Sequence, residues 1–363
     1  MEPNSALERK RAEQRAHVVL AGDRVVLDVT RNRRKVLLKK FQVWLWSTKG
    51  ISLLFLLKNK PADPELISFW LVEYGKQMYK SGKAYNSFAE TINAVAGARP
   101  QIKKQLTQAW DYAFSWVADE PFGHHPAMPA GILIALMSLS LLWGWPKVAA
   151  AFGLAWAGVL RIGEVLQATR SDLVLPGDAV AGTDFAMLKI REPKTRGRHA
   201  KHQAARIDPA DVIQVLELAY KNLAGSDLLW PQSSATLRKR LNDLLRALKL
   251  PTETRGEVRP FDLSSFRPGG ASWLLMSTES SELVRRRGRW HSIRVMEIYL
   301  QEIQYVTFLE RLPKESREMV EVCTAGFDDV LRPVIFFAQS GIPCNAWFYL
   351  LQGRWAQWGS SGG

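Results

Sequence analysis

Cysteine is nearly absent from the chain. Cys323 and Cys344 are the only two among 363 residues, so neither a disulfide framework nor a four-cysteine zinc site can hold it together. The fold must rest on an apolar core. Negative charge is also short: 35 Asp and Glu stand against 49 Lys and Arg, a formal net charge of +14. Such an imbalance favours a polyanionic partner, with nucleic acid first and an anionic membrane surface second. Familiar catalytic signatures are missing as well. The run from Gly75 to Ala84 has six residues between its glycines, where a phosphate loop has four, and Ala84 stands where a magnesium-binding hydroxyl is needed. Neither G-x-G-x-x-G nor H-E-x-x-H occurs. The pair His124–His125 lacks cysteine or carboxylate partners at a usable spacing. His199 and His202 are crowded by Arg196, Arg198 and Lys201, which would repel a metal cation. No metal and no cofactor are predicted. The first thirty residues contain no hydrophobic stretch of signal-peptide type, which predicts an intracellular protein.

The remaining composition, 47% apolar and 23% charged, is that of a folded globular chain, and its length suits two domains. Residues 1 to about 30 are polar, with Arg9, Lys10, Arg11 and Arg15 among glutamates, and read as a flexible arm. Between Arg31 and Lys40 six of ten residues are basic and none is acidic. The run is either a solvated helix face or a surface that tracks phosphates through Arg31, Arg33, Arg34 and Lys35. From Phe41 to Ala118 apolar and aromatic residues recur at three and four, as in Leu66, Phe69, Trp70 and Tyr74, and this predicts a helical bundle over 31–120. Asp119–Pro129, with three prolines, reads as a linker.

Pro126 to Trp145 carries no charge over twenty residues, and the apolar character resumes after Lys147. By length this is a candidate membrane span. However, Pro126, Pro129 and Pro146 confine the helical part to about fifteen residues. Val148–Leu160 is rich in Ala and Gly, as a close-packed buried helix would be. Two core helices are predicted, with a membrane protein as the alternative. Beyond Arg161, two β-like runs, Asp184–Glu192 and Gln203–Asp208, flank the basic turn Pro193–His202 and predict a hairpin. Helical patterns return at Asp211–Leu223, at Ala235–Leu248 and from Ser264 to about Glu310. The class is mostly α with a small β-sheet.

An ordered series then stands out: Arg161-Ile-Gly-Glu164 after a buried helix, Pro193-Lys194-Thr195 at the hairpin tip, Ser264-Ser-Phe-Arg267 opening a helix, and Gly288-Arg-Trp290 followed by Tyr299. In its order and in the nine-residue step from Trp290 to Tyr299, the series resembles the tyrosine recombinases, or phage integrase family. The resemblance covers about 160–310. It implies an N-terminal helical core-binding domain over 31–120, an α+β catalytic domain over 125–312, and a C-terminal extension over 313–363.

That resemblance also implies chemistry. Arg161 and Arg267 would clamp a phosphodiester, because planar guanidinium forks suit its non-bridging oxygens as charge builds there. Tyr299 would attack phosphorus to give a 3′-phosphotyrosine intermediate and free a 5′-hydroxyl. A free phenol, with a pKa near 10, is only ~0.1% ionised at pH 7, so such a nucleophile needs help losing its proton. Lys194 would protonate the leaving oxygen, and Trp290 would offer an indole N–H in place of the more common histidine. Glu164 would orient Arg161. Ser264 stands where the family usually has histidine. It is read as capping the helix of Arg267, with His291 a possible helper. Arg285, Arg286, Arg287 and Arg289, with Arg196, Arg198 and Lys201 on the hairpin, would contact the DNA backbone.

The implied function is a site-specific DNA recombinase or integrase, of the kind carried by mobile elements. It would act on double-stranded DNA, as a tetramer and without a cofactor. The alternatives are a type IB topoisomerase-like activity and, because of Ser264, a DNA-binding protein that has lost strand transfer. The tail segment Val334–Leu350, apolar and aromatic, either packs on its own domain or docks on a neighbouring protomer.

Overall fold

The computed structural model describes residues 5–15, 28–58, 63–120, 124–179, 182–191, 203–254 and 259–352. The chain divides into two compact units, Met1–Gly123 and His124–Gly363.

The first unit is helical: α1 (Ala6–Arg15), α2 (Asp28–Lys49), α3 (Leu53–Lys58), α4 (Pro64–Lys80), α5 (Tyr85–Ala98) and α6 (Thr107–Asp119). The sequence predicted a loose arm where α1 lies. All ten of its residues are Ala, Leu, Glu, Arg, Lys or Gln, strong helix formers with no β-branched residue, glycine or proline. Local propensity there outweighs the lack of an apolar face. Asp63 caps α4 by accepting the Leu66 N–H at 2.9 Å, and Pro64 occupies the first helical position, where its missing donor costs nothing. The core of this unit gathers Phe41 and Leu45 from α2, Ile67 and Leu71 from α4, Phe88 and Ile92 from α5, and Trp116 from α6. Phe88 and Trp116 stack with their ring centroids 5.7 Å apart.

The second unit opens on the two helices that the membrane alternative would have needed, α7 (Ala130–Leu142) and α8 (Pro146–Ala157). Thirteen residues of helix span only about 20 Å, against a hydrocarbon core of ~30 Å. No helix among the described residues is long and apolar enough to cross a membrane. Both helices are buried along nearly all their length. After α9 (Ile162–Gln167), strands β1 (Leu173–Val174), β2 (Ala186–Ile190) and β3 (Gln203–Ile207) form an antiparallel sheet in the order β1-β2-β3. Leu188 lies opposite both Leu173 and Ala205, and Ala186, Leu188 and Ile190 alternate into the core. The two-residue β1 is too short to leave a period in the sequence. The tip of the hairpin, with Lys194, Arg196, Arg198 and Lys201, lies outside the described residues.

Helices α10 (Ala210–Tyr220) and α11 (Ser234–Ala247) follow. The helical stretch predicted from Ser264 onward is four pieces: α12 (Phe266–Thr278), α13 (Ser281–Gly288), α14 (Ile293–Glu297) and α15 (Glu302–Thr307). The breaks are local. Glu279 and Arg289 take left-handed backbone conformations, and the Ser280 and Ser292 hydroxyls accept the first free N–H groups of α13 and α14. Helix α12 crosses α8 so closely that a Cβ on Gly270 would sit 1.9 Å from the Trp156 carbonyl oxygen. Phe152 and Phe266 stack at 4.7 Å across the same contact.

The tail forms α16 (Lys314–Ala325) and α17 (Phe327–Gln339). Val334, Phe337, Trp347 and Leu351 are buried in the core that α7 and α8 build, so of the two readings the structure has the tail on its own unit. Phe336 and Tyr349 remain exposed.

Candidate anion-binding site

Four segments of the second unit converge on one cationic pocket. Arg161 is the N-cap of α9, and Glu164 occupies the third helical position. The Glu164 carboxylate accepts the Arg161 backbone N–H at 2.9 Å and pairs with its guanidinium at 2.9 Å. This gives the Arg-x-x-Glu spacing its physical content. The acid satisfies a free N–H at the positive end of a helix while aligning the arginine that begins it.

Arg267 lies in the first turn of α12, and only 4% of its side chain is exposed. One nitrogen, Nη2, donates to the Gly288 carbonyl at 2.6 Å. Its Nε and Nη1 are buried with no hydrogen-bond partner among the described residues, and the nearest Glu164 oxygen is 4.0 Å from Nη1. The guanidinium carbon sits 4.6 Å from the Trp290 ring centroid and 5.6 Å from that of Tyr299. Those two rings are 5.1 Å apart and tilted by 47°. The indole N–H of Trp290 is also buried, with no partner among the described residues. Gly288 explains its own place in the series. A Cβ there would fall 1.6 Å from the Trp290 ring, so only glycine lets the indole fold back under Arg267.

A third arginine joins these. Arg289, at a φ of 57°, turns inward and donates to Glu164 at 2.8 Å. The sequence read it as a surface contact to DNA. The left-handed cap of α13 instead directs it into the pocket, where 7% of its side chain is exposed. Three guanidiniums therefore share one carboxylate, a local excess of two positive charges. Burial, with Arg161 and Arg289 nearby, pushes Arg267 down to about 9, against the opposing pull of Glu164 and Tyr299. Arg289 is lowered too, mainly by burial, with Glu164 opposing. Two buried donors on a cation and a third on an indole, with no acceptor among the described residues, make a seat for an oxyanion.

The other predicted residues are placed differently. The N-cap of α12 is Ser265, one position later than the sequence suggested. Its hydroxyl oxygen accepts the Asp262 N–H at 3.0 Å. Ser264 is exposed on the preceding turn, and its N–H donates to Asp262 at 2.6 Å. His291 is exposed after Trp290. The basic run on α13 is not one surface. Arg285 pairs with Glu282 and donates to the Trp290 carbonyl, Arg287 pairs with Asp208 at 2.9 Å, and Arg286 is exposed. In the first unit, Arg33 and Lys35 are exposed on α2, while Arg31 pairs with Asp28 and Arg34 with Glu90. One basic face escaped the sequence reading. Arg238, Asn242 and Arg246, at steps of four, line an open groove on α11 with Lys239. Their helical spacing was the available signal.

No protein-family model matches the sequence, and no curated protein matches it. Solved structures do match in fold. A Tn1549 transposon integrase in complex with transposon right end DNA is 14% identical, with a TM-score of 0.53 over 87% of this chain and 98% of that one. The same integrase with a circular intermediate DNA gives 14% identity and a TM-score of 0.53 over 84% and 98%. A XerH site-specific recombinase bound to difH substrate is 12% identical, with a TM-score of 0.47 over 78% and 80%. The structural neighbours are tyrosine recombinases and integrases, and the chain has their fold.

Proposed function

We propose that the chain is a DNA strand transferase of the tyrosine recombinase kind, cleaving and rejoining duplex DNA through a 3′-phosphotyrosine link at Tyr299. The observation that carries this reading is Arg267, a buried guanidinium with two nitrogens unpartnered among the described residues, packed against both the Trp290 and Tyr299 rings in a pocket with surplus positive charge. A phosphodiester supplies what the pocket lacks. Its non-bridging oxygens take the open donors of Arg267 and Trp290, with Arg161 at the more exposed rim. As Tyr299 attacks, an O–P bond forms and the P–O5′ bond breaks. Charge on the equatorial oxygens grows where the donors already point, and it is these preorganised contacts that lower the barrier. Lys194 is the proposed donor of a proton to the 5′-oxygen. The phosphotyrosine bond retains the energy of the phosphodiester, so the reverse attack rejoins a strand. Arg33 and Lys35 on α2, Arg286 on α13 and the α11 groove are the proposed backbone-tracking cations. DNA-bound neighbours of the same fold support this use of them. The proposed working form is a tetramer on two duplexes.

The test is covalent capture. The full chain is incubated with a pool of nicked duplexes of randomised flanks and resolved under denaturing conditions. A protein–DNA adduct that disappears in Tyr299→Phe is expected. Binding without any adduct would instead support the reading, motivated by Ser264, of a binding protein without strand transfer.

A further inference from the structure

The position usually held by histidine is Ser264, yet the carboxylate that accepts its backbone N–H, Asp262, also holds an imidazole from another part of the chain. His125, in the segment before α7, places Nδ1 2.7 Å from Oδ2 of Asp262, while Oδ1 of the same carboxylate accepts the Ser264 N–H at 2.6 Å. One carboxylate thus bridges the ring and the turn that lacks one. The arrangement is fixed from two further sides. Met128 N–H donates to the Ser265 carbonyl at 3.1 Å, tying the His125 segment to the start of the Arg267 helix. Gln301, two residues beyond Tyr299, donates to the His125 carbonyl at 2.8 Å and accepts the Ala127 N–H at 3.1 Å. The Gln301 N–H is itself anchored on the Ser272 hydroxyl of α12 at 3.1 Å. His125 is stitched to the arginine helix and to the tyrosine segment at once, 137 residues before Asp262 in sequence.

We infer that His125, oriented by Asp262, is the proton acceptor of the strand-transfer site, supplying from a distant segment the imidazole that position 264 lacks. The inference rests on the strand-transfer reading above. An Nδ1–H donated to Asp262 leaves Nε2 as the acceptor, the tautomer a histidine–carboxylate pair enforces. When Tyr299 attacks, its O–H bond breaks as the O–P bond forms, and the proton passes to Nε2. Asp262 steadies the resulting imidazolium. The 5′-oxygen leaves with a proton from Lys194, and the reverse reaction returns both protons. The side chain is 54% exposed, open to a substrate docked on it. The charged groups acting on it are Asp262, whose hydrogen bond raises its pKa against the effect of burial, and Arg259, which lowers it. Arg238 of α11 acts in turn on Asp262.

The experiment measures the rate of adduct formation against pH on a nicked duplex recovered from the randomised pool. In the wild-type chain the rate should rise with pH and level off above the ordinary histidine value of about 6.5. His125→Ala should slow it by about 10²–10⁴-fold and abolish that inflection. DNA affinity should stay within about threefold, since many other cations hold the backbone. Asp262→Asn should shift the inflection to lower pH. Adding Ser264→His to His125→Ala should recover at least about tenfold of the lost rate, within the contribution of one acid–base group. An adduct that needs Tyr299 but forms at the same rate and pH dependence without His125 overturns this proposal alone. So does a wild-type rate that falls as pH rises. No adduct from the wild-type chain overturns the strand-transfer reading and this inference with it.

Discussion

Replacing Glu164 by Gln removes one charge and almost no volume, which isolates the electrostatic bond holding the pocket. In the native chain that carboxylate accepts from Arg289 at 2.8 Å and from both the backbone and side chain of Arg161 at 2.9 Å. Each such pair is worth about 4 kcal/mol of Coulomb attraction at the effective dielectric of a partly screened site. Most of that is spent on desolvating the carboxylate, of which only 8% is exposed. The variant escapes that desolvation cost but leaves Arg267 and Arg289 buried with no counter-charge. Breaking a buried pair from one side costs about 3–5 kcal/mol. For a unit of this size that is about 2–4 °C per kcal/mol, a fall in melting temperature of about 6–20 °C. Tryptophan fluorescence and calorimetry of the full chain read it directly. A second variant sharpens the test. Glu164→Gln with Arg289→Met should melt higher than Glu164→Gln alone, because one uncompensated cation is gone. A melting temperature within about 2 °C of wild type, or strictly additive effects in the double variant, would refute the shared-carboxylate account.

Gly288→Ala should displace the Trp290 ring, whose edge lies 1.6 Å from the added Cβ. About 1–3 kcal/mol of stability and most adduct formation should be lost, with the near-ultraviolet circular dichroism of the indole changed. Trp347→Ala empties one of the largest fully buried positions and should cost about 3–5 kcal/mol in urea unfolding. Unchanged stability would detach the tail from the core. Burial, with Arg161 and Arg289 nearby, holds Arg267 below its ordinary value, so its charge is a cost to the folded chain. Arg267→Met should therefore unfold at a urea midpoint no lower than wild type, and a clear loss of stability would contradict that account. The same Arg267→Met should abolish the adduct while sparing most DNA affinity, and equal losses of both would contradict the clamp role.

Much of this architecture was legible because long-range packing leaves local traces. The apolar, proline-bounded stretch over 126–160 could only be two buried helices or a membrane span, and the prolines decided its length. The hairpin announced itself through alternation on both sides of a basic turn. The pairing of Arg161 with Glu164 was readable because both ends lie within one helical turn. What remained hidden depends on backbone conformations with no period. Arg289 looks like its neighbours Arg285 to Arg287 in sequence, and only the left-handed cap of α13 turns it inward. That α12 begins after Ser265, whose hydroxyl bonds back to the Asp262 N–H and not to the helix, is equally invisible in the sequence. The sequence shows His125 only as half of a histidine pair without a carboxylate nearby, because its partner Asp262 is 137 positions away.

The buried Arg267 guanidinium, 4.0 Å from the nearest Glu164 oxygen, is a standing liability to the fold. Exchanging Arg267 for a hydrophobic residue of similar bulk would relieve an unmatched interior cation, a change of the kind that often stabilises proteins. Attraction to a polyanion does not require such a sacrifice, since surface lysines supply it at little expense to folding. On the strand-transfer reading proposed above, that interior cost is what sets open guanidinium donors where a phosphorus would react.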